Sequence, residues 1–573
     1  MITRRLLMIL MFVFIGLSAK AQPPTWQWAR TATNIGIYTD NLGIATDLTG
    51  NIYVTGLFLD SLLIFGMDTL IGDLTHDMFY LVKYDSSGNV IYTRGAIGEG
   101  YGQGITTDAL GNIYTTGYFG GQSIIFGSDT LFNNSSSYYN LFTVKYNSSG
   151  VVQWVRGAQG EGHFTEGTSI ATDTFGNVFI SGISTSPYLI FGSDTLNMST
   201  NGDIFIVKYD TSGNVIFAKT AIHSLNSAVS TACSSLCTDM AGNAYIAGIT
   251  SNIYSLSQPT SITFDAITLV DSVTSFSFIV KYSSSGSALW ARKPNGTGNW
   301  SSSGYSIASN NLGKIYTTGW YTGSSISFGS NAITNYGVNN VFLTKYDSSG
   351  NVIYARDIGG TDSDYGFCVA SDNYDNVYLT GEAGSYPMNF DTILQVSTGG
   401  TIPMFFAKYN STGHATFAMT FQDGGDDIAP VSIDHFGNVY ISGDFEFVNP
   451  FVIGPDSLPL SGDIPYHEAF FLAKLRFPSG SNDGIPEIKP QQTLLLSPNP
   501  FTTQATLTIQ GIKNENQKSL SVYNLLGQVV QNIFVGKDKE VIIHRNNLPS
   551  GMYFYKLIDD SKTVLGMGKM VVE

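Results

Sequence analysis

Cysteine is nearly absent, with three in 573 residues, so covalent bracing can contribute little. Cys233 and Cys237 stand four apart in STACSSLCTD. On one regular strand they would share a face but lie roughly 13 Å apart at about 3.3 Å per residue, beyond disulfide reach. Free buried thiols are expected. Charge is also scarce, at 13 % of residues, and what there is leans acidic: 28 basic against 44 acidic side chains, a net −16. That balance sets the chain against nucleic-acid partners, which need Lys and Arg to neutralise phosphates. The seven histidines (His76, His163, His223, His414, His435, His467 and His544) are scattered and show no His-x-x-x-His spacing, so no metal site and no cofactor is expected. Long apolar runs are missing too. Leu6 to Ser18 is the longest, short of the roughly 20 residues that span a bilayer.

That short run follows Arg4 and Arg5 and precedes Ala19-Lys20-Ala21. A positive start, an apolar core and a small-x-small site read as a secretory signal over residues 1–21, and no transmembrane segment is expected in the mature chain. The remaining composition is rich in glycine (62 residues) and aromatics (13 %), which suits pleated surfaces joined by tight turns. A chain of this length exceeds one ordinary domain, so internal repeats are the first thing to seek.

They are plain. GIATDLTGNIYVTG (43–56) returns as GITTDALGNIYTTG (104–117), SIATDTFGNVFISG (169–182), SLCTDMAGNAYIAG (235–248), SIASNNLGKIYTTG (306–319), CVASDNYDNVYLTG (368–381) and PVSIDHFGNVYISG (430–443), at intervals of 61 to 71 residues. In each, a short acceptor side chain (Asp47, Asp108, Asp173, Asp239, Asn310, Asp372, Asp434) stands three before the Gly or Asp of the turn. An Asx-type bond there holds the loop, and the following residue takes the positive φ. Each aspartate sits in its own hairpin without a second acidic ligand, which argues against calcium. A second hairpin follows each copy, as in FYLVKYDSSGNVIYTR (79–94) and LFTVKYNSSGVVQWVR (141–156). Between the two lies a variable segment, often FG-x-DTL, expected to form an extra edge hairpin.

The last copy, FFLAKLRF (470–477), lacks its final strand, and that strand stands at the opposite end of the chain. TWQWAR (25–30) matches VVQWVR (151–156), with Trp28 and Arg30 in the slots of Trp154 and Arg156. The fold expected is therefore all-β: a seven-bladed β-propeller over 25–477, four strands to a blade, closed by the N-terminal strand carrying Trp26, Trp28 and Arg30. Residues 478–492 are polar with several Pro and Gly, a linker by composition. From 493 to 573 the repeat is gone, and five strand-like segments read as a small β-sandwich.

The repeat, with its D-x-x-GN-x-Y-x-TG core and F-x-x-KYD element, resembles the bacterial seven-bladed β-propeller repeat family. The tail carries Ser497-Pro498-Asn499-Pro500, Tyr523-Asn524-x-x-Gly527, Leu548-Pro549-Ser550-Gly551-Met552-Tyr553 and Gly568-Lys569-Met570-Val571-Val572. It is similar to the C-terminal sorting domain of proteins exported by the type IX secretion system. That resemblance implies recognition of residues 493–573 by the outer-membrane translocon of a Gram-negative bacterium, with the product secreted or kept at the outer surface. The DTL triplets and Asp60-Ser61-Leu62 also resemble the D-S/T-apolar O-glycosylation sequence of such bacteria, and equally fit a structural turn.

The slot two before each turn acceptor holds Ala45, Thr106, Ala171, Cys237, Ala308, Ala370 and Ser432. Small residues suit a crowded axis and supply no acid–base or nucleophile pair, so no catalytic residues and no enzymatic activity are expected. Periodic basic residues such as Lys83, Lys145, Arg94 and Arg156 are expected to neutralise neighbouring blades. The variable inter-blade loops carry the candidate binding residues: Glu99, Tyr101, Glu161, Glu166, Asp362, Asp364, Tyr365, Asp423, Asp426 and Asp427. The function expected is a binding or adhesion module for an unknown glycan or protein ligand. The alternative is a carbohydrate-active or other hydrolytic enzyme using these acidic loops.

Overall fold

The computed structural model describes residues 23–34, 38–133, 138–161, 163–199, 202–223, 229–252, 259–273, 275–296, 301–395, 403–421, 429–445, 451–458, 469–478, 494–509, 517–524, 529–559 and 564–572. The leader read at 1–21, and the linker beyond Pro478, lie outside them. The chain divides into two compact units, Met1–Gly484 and Ile485–Glu573. All regular structure among the described residues is β, and no helix there is long and apolar enough to cross a membrane.

The first unit repeats one antiparallel order. In the third sheet, for example, Thr165–Thr172 pairs with Val178–Ser184, which pairs with Asp203–Tyr209, which pairs with Val215–Thr220. The first turn works as its spelling suggests. Asp47 Oδ1 accepts the backbone N–H groups of Thr49 and Asn51 at 2.8 and 3.0 Å, and Oδ2 accepts from the Asn51 amide and the Tyr53 hydroxyl at 2.7 and 2.9 Å. Gly50 takes φ of 84° to close it. One carboxylate thereby satisfies a tight loop and a fully buried tyrosine together.

First strands of neighbouring sheets are tied by side chains. The Thr107 hydroxyl donates to the Thr46 carbonyl, Thr172 to Thr107, Thr238 to Thr172 and Ser309 to Thr238, at 2.6–2.9 Å. Thr46 in turn donates to the carbonyl of Ile433, near the far end of the unit, at 3.1 Å. The last sheet takes its fourth strand from the start of the chain: Thr25–Thr31 pairs with Ala469–Arg476, from Thr25 opposite Arg476 to Thr31 opposite Phe471.

Three expectations need correction. The periodic cations serve carbonyls as well as charges: Arg94 Nε donates to Gly150 O at 2.7 Å and Lys83 Nζ to Ser148 O at 3.0 Å, both in the next sheet's turn, while Lys208, Lys281 and Lys345 pair with Asp173, Asp239 and Asp375. Each such cation also lies near an aromatic ring, as Arg94 does 4.4 Å from the Tyr92 centroid. The FG-x-DTL segments do form hairpins, some in small separate sheets, as with Leu62–Phe65 and Asp68–Ile71, while Ser123–Phe126 and Asp129–Phe132 join the main sheet through Ile125 opposite Ile97. Their aspartate clamps the adjacent fourth strand, Asp68 Oδ2 accepting the Thr93 N–H at 2.9 Å. The cysteines, free as expected, do not share a strand face. A bulge between Cys233 and Ser235 sets Cys233 opposite Gly248 and Cys237 opposite Tyr245, three residues along, which reverses the alternation. Burial pushes the two thiols up to about 11 and about 12.

In the second unit, the sheet Leu494–Ser497, Gln504–Ile509, Glu540–His544 and the sheet Val529–Gly536, Lys518–Tyr523, Gly551–Asp559, Val564–Val572 share one core that includes Leu507, Leu520, Ile543, Leu557 and Met570, all fully buried. The Pro498-Asn499-Pro500 segment is pinned to the last strand: Asn499 Nδ2 donates to Lys569 O at 3.1 Å, and Val571 N–H to Asn499 Oδ1 at 2.8 Å. Gly568 lies beneath the Tyr555 ring. Leu548 is buried, and the Tyr553 hydroxyl donates to Pro549 O at 2.9 Å across the turn that holds Gly551. Gly527 lies outside the described residues.

Candidate functional site

The bulge that separates the cysteines recurs in the first strand of other sheets, between Gly102 and Gly104, Gly167 and Ser169, Gly304 and Ser306, Gly366 and Cys368. It lets pairing continue through segments that look like glycine-rich loops. Tyr101, Glu166 and Tyr365, expected in loops, are therefore strand residues at one register position, opposite Tyr118, Ile183 and Glu382. Glu99 lies in the same continuous strand as Tyr101, Val90–Thr107, which pairs with Met78–Tyr84 along its first half and with Ile113–Phe119 along its second, joining two repeats in one sheet. A bulge beside a site re-aims side chains while the ladder keeps them rigid.

Around Tyr101 an aromatic group assembles. Its ring stacks on Tyr118 at 4.3 Å and 18°, and Tyr139 stands edge-on to both at 5.5 and 5.1 Å. Phe164 packs 6.1 Å from Tyr118. Carboxylates fill the gaps between phenols. Asp77 accepts from Tyr38 at 2.6 Å and from Tyr101 at 2.5 Å, and Glu99 accepts from Tyr101 and Tyr139 at 3.3 and 3.2 Å. All of these residues are half-buried. Burial, reinforced by the Asp77 hydrogen bond, pushes the Tyr101 phenol well above its ordinary range, so it remains a donor.

Glu166 receives no hydrogen-bond donor from the described residues, and burial pushes its carboxyl up to about 7. The folded chain thus holds a proton that the unfolded chain releases from about 4.5 upward. This contribution to stability is complete below pH 4.5 and is lost as pH rises through 7. The melting temperature should fall from about pH 5 to about pH 8, and a Glu166→Gln variant should show a flatter profile in differential scanning calorimetry. Parallel profiles for the two proteins would refute this assignment.

A second aromatic group surrounds Tyr365. Trp320 meets it edge-on at 5.7 Å, Phe367 lies parallel at 6.3 Å, and Tyr305 meets Phe367 at 5.5 Å. The Tyr365 hydroxyl accepts from Asn339 Nδ2 at 2.8 Å. Asp364 does not belong to this surface. It is fully buried, accepting from Gly360 N–H, Ser385 N–H and the Ser385 hydroxyl at 2.6–2.9 Å, so it holds a turn. Burial pushes its carboxyl up to about 6. Glu161 and Asp362 are exposed, their backbone N–H groups donating to the Ser186 and Ser385 hydroxyls and the Asp362 carbonyl accepting from Val338 N–H. Asp423, Asp426 and Asp427 lie outside the described residues. Sequence reading missed Tyr38, Asp77, Tyr118, Tyr139, Phe164, Tyr305, Trp320 and Phe367. Aligning the copies by register position rather than by loop boundaries would have found the inner-strand members. Among the described residues no group of three or more His, Cys, Asp and Glu is placed to hold a metal ion.

Residues 496–573 match the family model of the secretion system C-terminal sorting domain. Over 422 residues, 62% of this chain, the sequence is 26% identical to an uncharacterized WD repeat-containing protein of Acanthamoeba polyphaga mimivirus, of which the match spans 30%. Solved structures similar to it include an ulvan lyase of a polysaccharide lyase family (10% identity, 75% of this chain and 98% of that one, TM-score 0.38) and a gluconolactonase from Xanthomonas campestris (9%, 80% and 99%, TM-score 0.27). The expectation that the chain is not an enzyme is withdrawn on this finding: folds similar to it include a lyase and a lactonase, although neither assigns it a reaction. What the tail and the repeats establish together is a repeat protein of β-propeller type with a type IX sorting domain, secreted or held at the outer surface of a Gram-negative bacterium.

Proposed function

We propose that residues 25–477 form a seven-bladed propeller closed by the N-terminal strand, and that its two aromatic groups make a binding face for glycans. On this reading the signal at 1–21 and the tail at 493–573 deliver the propeller as an adhesion module, the tail engaging the type IX translocon. Ring closure is supported by the Thr25–Thr31 pairing and by the Thr46 bond to Ile433. The observation that carries the binding role is the half-exposed Tyr101–Tyr118 stack flanked by Asp77, Glu99 and Glu166. Flat rings cover the apolar face of a sugar, while carboxylates and phenols meet its hydroxyls.

The full chain should retain a subset of glycans on an array. Tyr101→Ala and Tyr365→Ala should each weaken binding by about 10- to 100-fold, as removal of a buried aromatic anchor does. Unchanged dissociation constants in both variants would dispose of the reading. A hydrolytic reading draws on the same residues. The Tyr101 hydroxyl donates to both Asp77 and Glu99, holding the two carboxylates within about 6 Å, in the range of glycosidase pairs. Glycan turnover lost in Asp77→Asn and Glu99→Gln, with binding kept, would favour it.

A further inference from the structure

One group of side chains, remote in sequence from both aromatic groups, departs from the repeat. Asp203 opens the strand Asp203–Tyr209, five residues before Lys208, where other copies have Met78, Asn140, Phe276 and Asn340. His223 stands six residues after Phe217, where four other copies have Gly98, Gly160, Gly296 and Gly360 and the remaining two have Asn34 and Asp423. Two independent departures from the pattern meet in space: His223 Nδ1 lies 2.5 Å from Asp203 Oδ1, with the side chains 2% and 1% exposed, an ion-pair contact outside hydrogen-bond alignment in which neither atom has a hydrogen-bond partner among the described residues. The other ring nitrogen, Nε2, lies 3.3 Å from the hydroxyl of Ser199, just beyond the strand Asp194–Asn197. Ser199 is half-buried, and its backbone N–H donates to the second Asp203 oxygen.

The order is hydroxyl, imidazole, carboxylate, with each ring nitrogen facing one partner. A buried carboxylate beside Nδ1 keeps the proton on that nitrogen and stabilises the imidazolium once it forms. This leaves the Nε2 lone pair for the serine. The backbone bond from Ser199 to Asp203 ties the nucleophile's loop to the group that orients the base, the interlock such a device requires.

We propose that Ser199, His223 and Asp203 form a nucleophile–base–carboxylate triad that hydrolyses carboxylic esters. Ser199 Oγ attacks the ester carbonyl carbon while its proton passes to His223 Nε2. The bond from the carbonyl carbon to the alcohol oxygen then breaks, and Nε2 returns the proton to the departing alcohol. Water attacks the acyl-serine, giving its proton to Nε2. The acid leaves as the Ser199 oxygen takes that proton back. The sum is ester plus water to acid plus alcohol. This proposal is independent of the glycan face and uses none of its residues.

The full chain should be treated with a fluorescent fluorophosphonate and with p-nitrophenyl acetate, and the modified peptide mapped by mass spectrometry. The expected result is a single label on Ser199, accompanied by ester turnover, both absent in Ser199→Ala. His223→Gln and Asp203→Asn should slow labelling by about 100-fold or more. Ser199→Ala keeps the backbone donor to Asp203, so its melting temperature should match the parent, and its loss of label then reports chemistry rather than unfolding. A parent chain that takes no label, or a Ser199→Ala chain labelled as fast as the parent, overturns the proposal.

Discussion

A Trp28→Ala chain should lose about 3–5 kcal/mol of stability, the usual result of emptying a buried tryptophan site, and a chain without Thr25–Thr31 should fail to fold its first unit cooperatively. Trp28 is 8% exposed and lies 6.1 Å from Tyr440, with its indole N–H directed at Ser86 O, 3.3 Å away. Its ring covers Gly88, and the Arg30 guanidinium sits 5.2 Å from the ring while Nε donates to Gly88 O at 3.0 Å. On the strand's other flank, Asp456 Oδ2 accepts the Ala29 N–H at 2.6 Å. One short strand therefore joins the turn at 86–88 to the sheet that ends near Arg476. Deleting it leaves the Ala469–Arg476 strand with an unpaired edge, which invites association between chains. Urea titrations of the parent, Trp28→Ala and Trp154→Ala measure this. Trp154 makes the matching contact with the turn of its sequence neighbour, its N–H 3.3 Å from Thr211 O. Both variants should shift the midpoint. Trp28→Ala should also speed unfolding more, because the partners it joins are brought together by no adjacent chain. A Trp28→Ala midpoint equal to the parent's would remove the strand from any role in closure.

Much of this architecture was legible because each copy repeats the same local chemistry. The Asp-x-x-Gly spelling names its turn, the alternation names its strands, and the Trp28 and Arg30 slots disclose where the missing strand lies. The candidate site was harder to read. Glycine-rich GEGYGQG looks like a loop, yet it pairs throughout because a bulge absorbs one residue between Gly102 and Gly104. A bulge depends on partner geometry rather than composition, so Tyr101 was found as a residue but misplaced as to element. Asp364 shows the opposite failure. An acidic residue beside a tyrosine reads as surface, and only three converging donors reveal that it is buried. Ser199, His223 and Asp203 lie within 25 positions and carry no motif spacing. They become visible only as departures from the repeat, at positions where most other copies have glycine or a neutral side chain.

Gly117→Ala should abolish the Tyr101 surface and destabilise its sheet together. Gly117 closes the repeat's Thr-Gly ending, and a Cβ built on it would meet the Tyr101 carbonyl oxygen at 1.8 Å, with the Phe142 ring 3.1 Å away. Real Cβ atoms never come that near a backbone oxygen, so either the bulge must be lost or the strand must move. The equivalent glycines show the same pressure: Gly182 would meet Glu166 O at 2.0 Å and Gly381 would meet Tyr365 O at 2.0 Å. Glycine is thus demanded here by the close approach of the preceding strand's bulged backbone. Overpacking of this kind costs about 1–3 kcal/mol where neighbours can yield, and more where the obstacle is backbone. Loss of the bulge would shift Tyr101 by one residue and turn its ring to the opposite face, away from Tyr118 and Asp77. Tyrosine fluorescence and the melting temperature should therefore change together in Gly117→Ala. Glycan binding should fall at least as far as in Tyr101→Ala, although no residue of the surface has been altered. If Gly117→Ala bound and melted like the parent, the bulge would not be what holds the Tyr101 face in place.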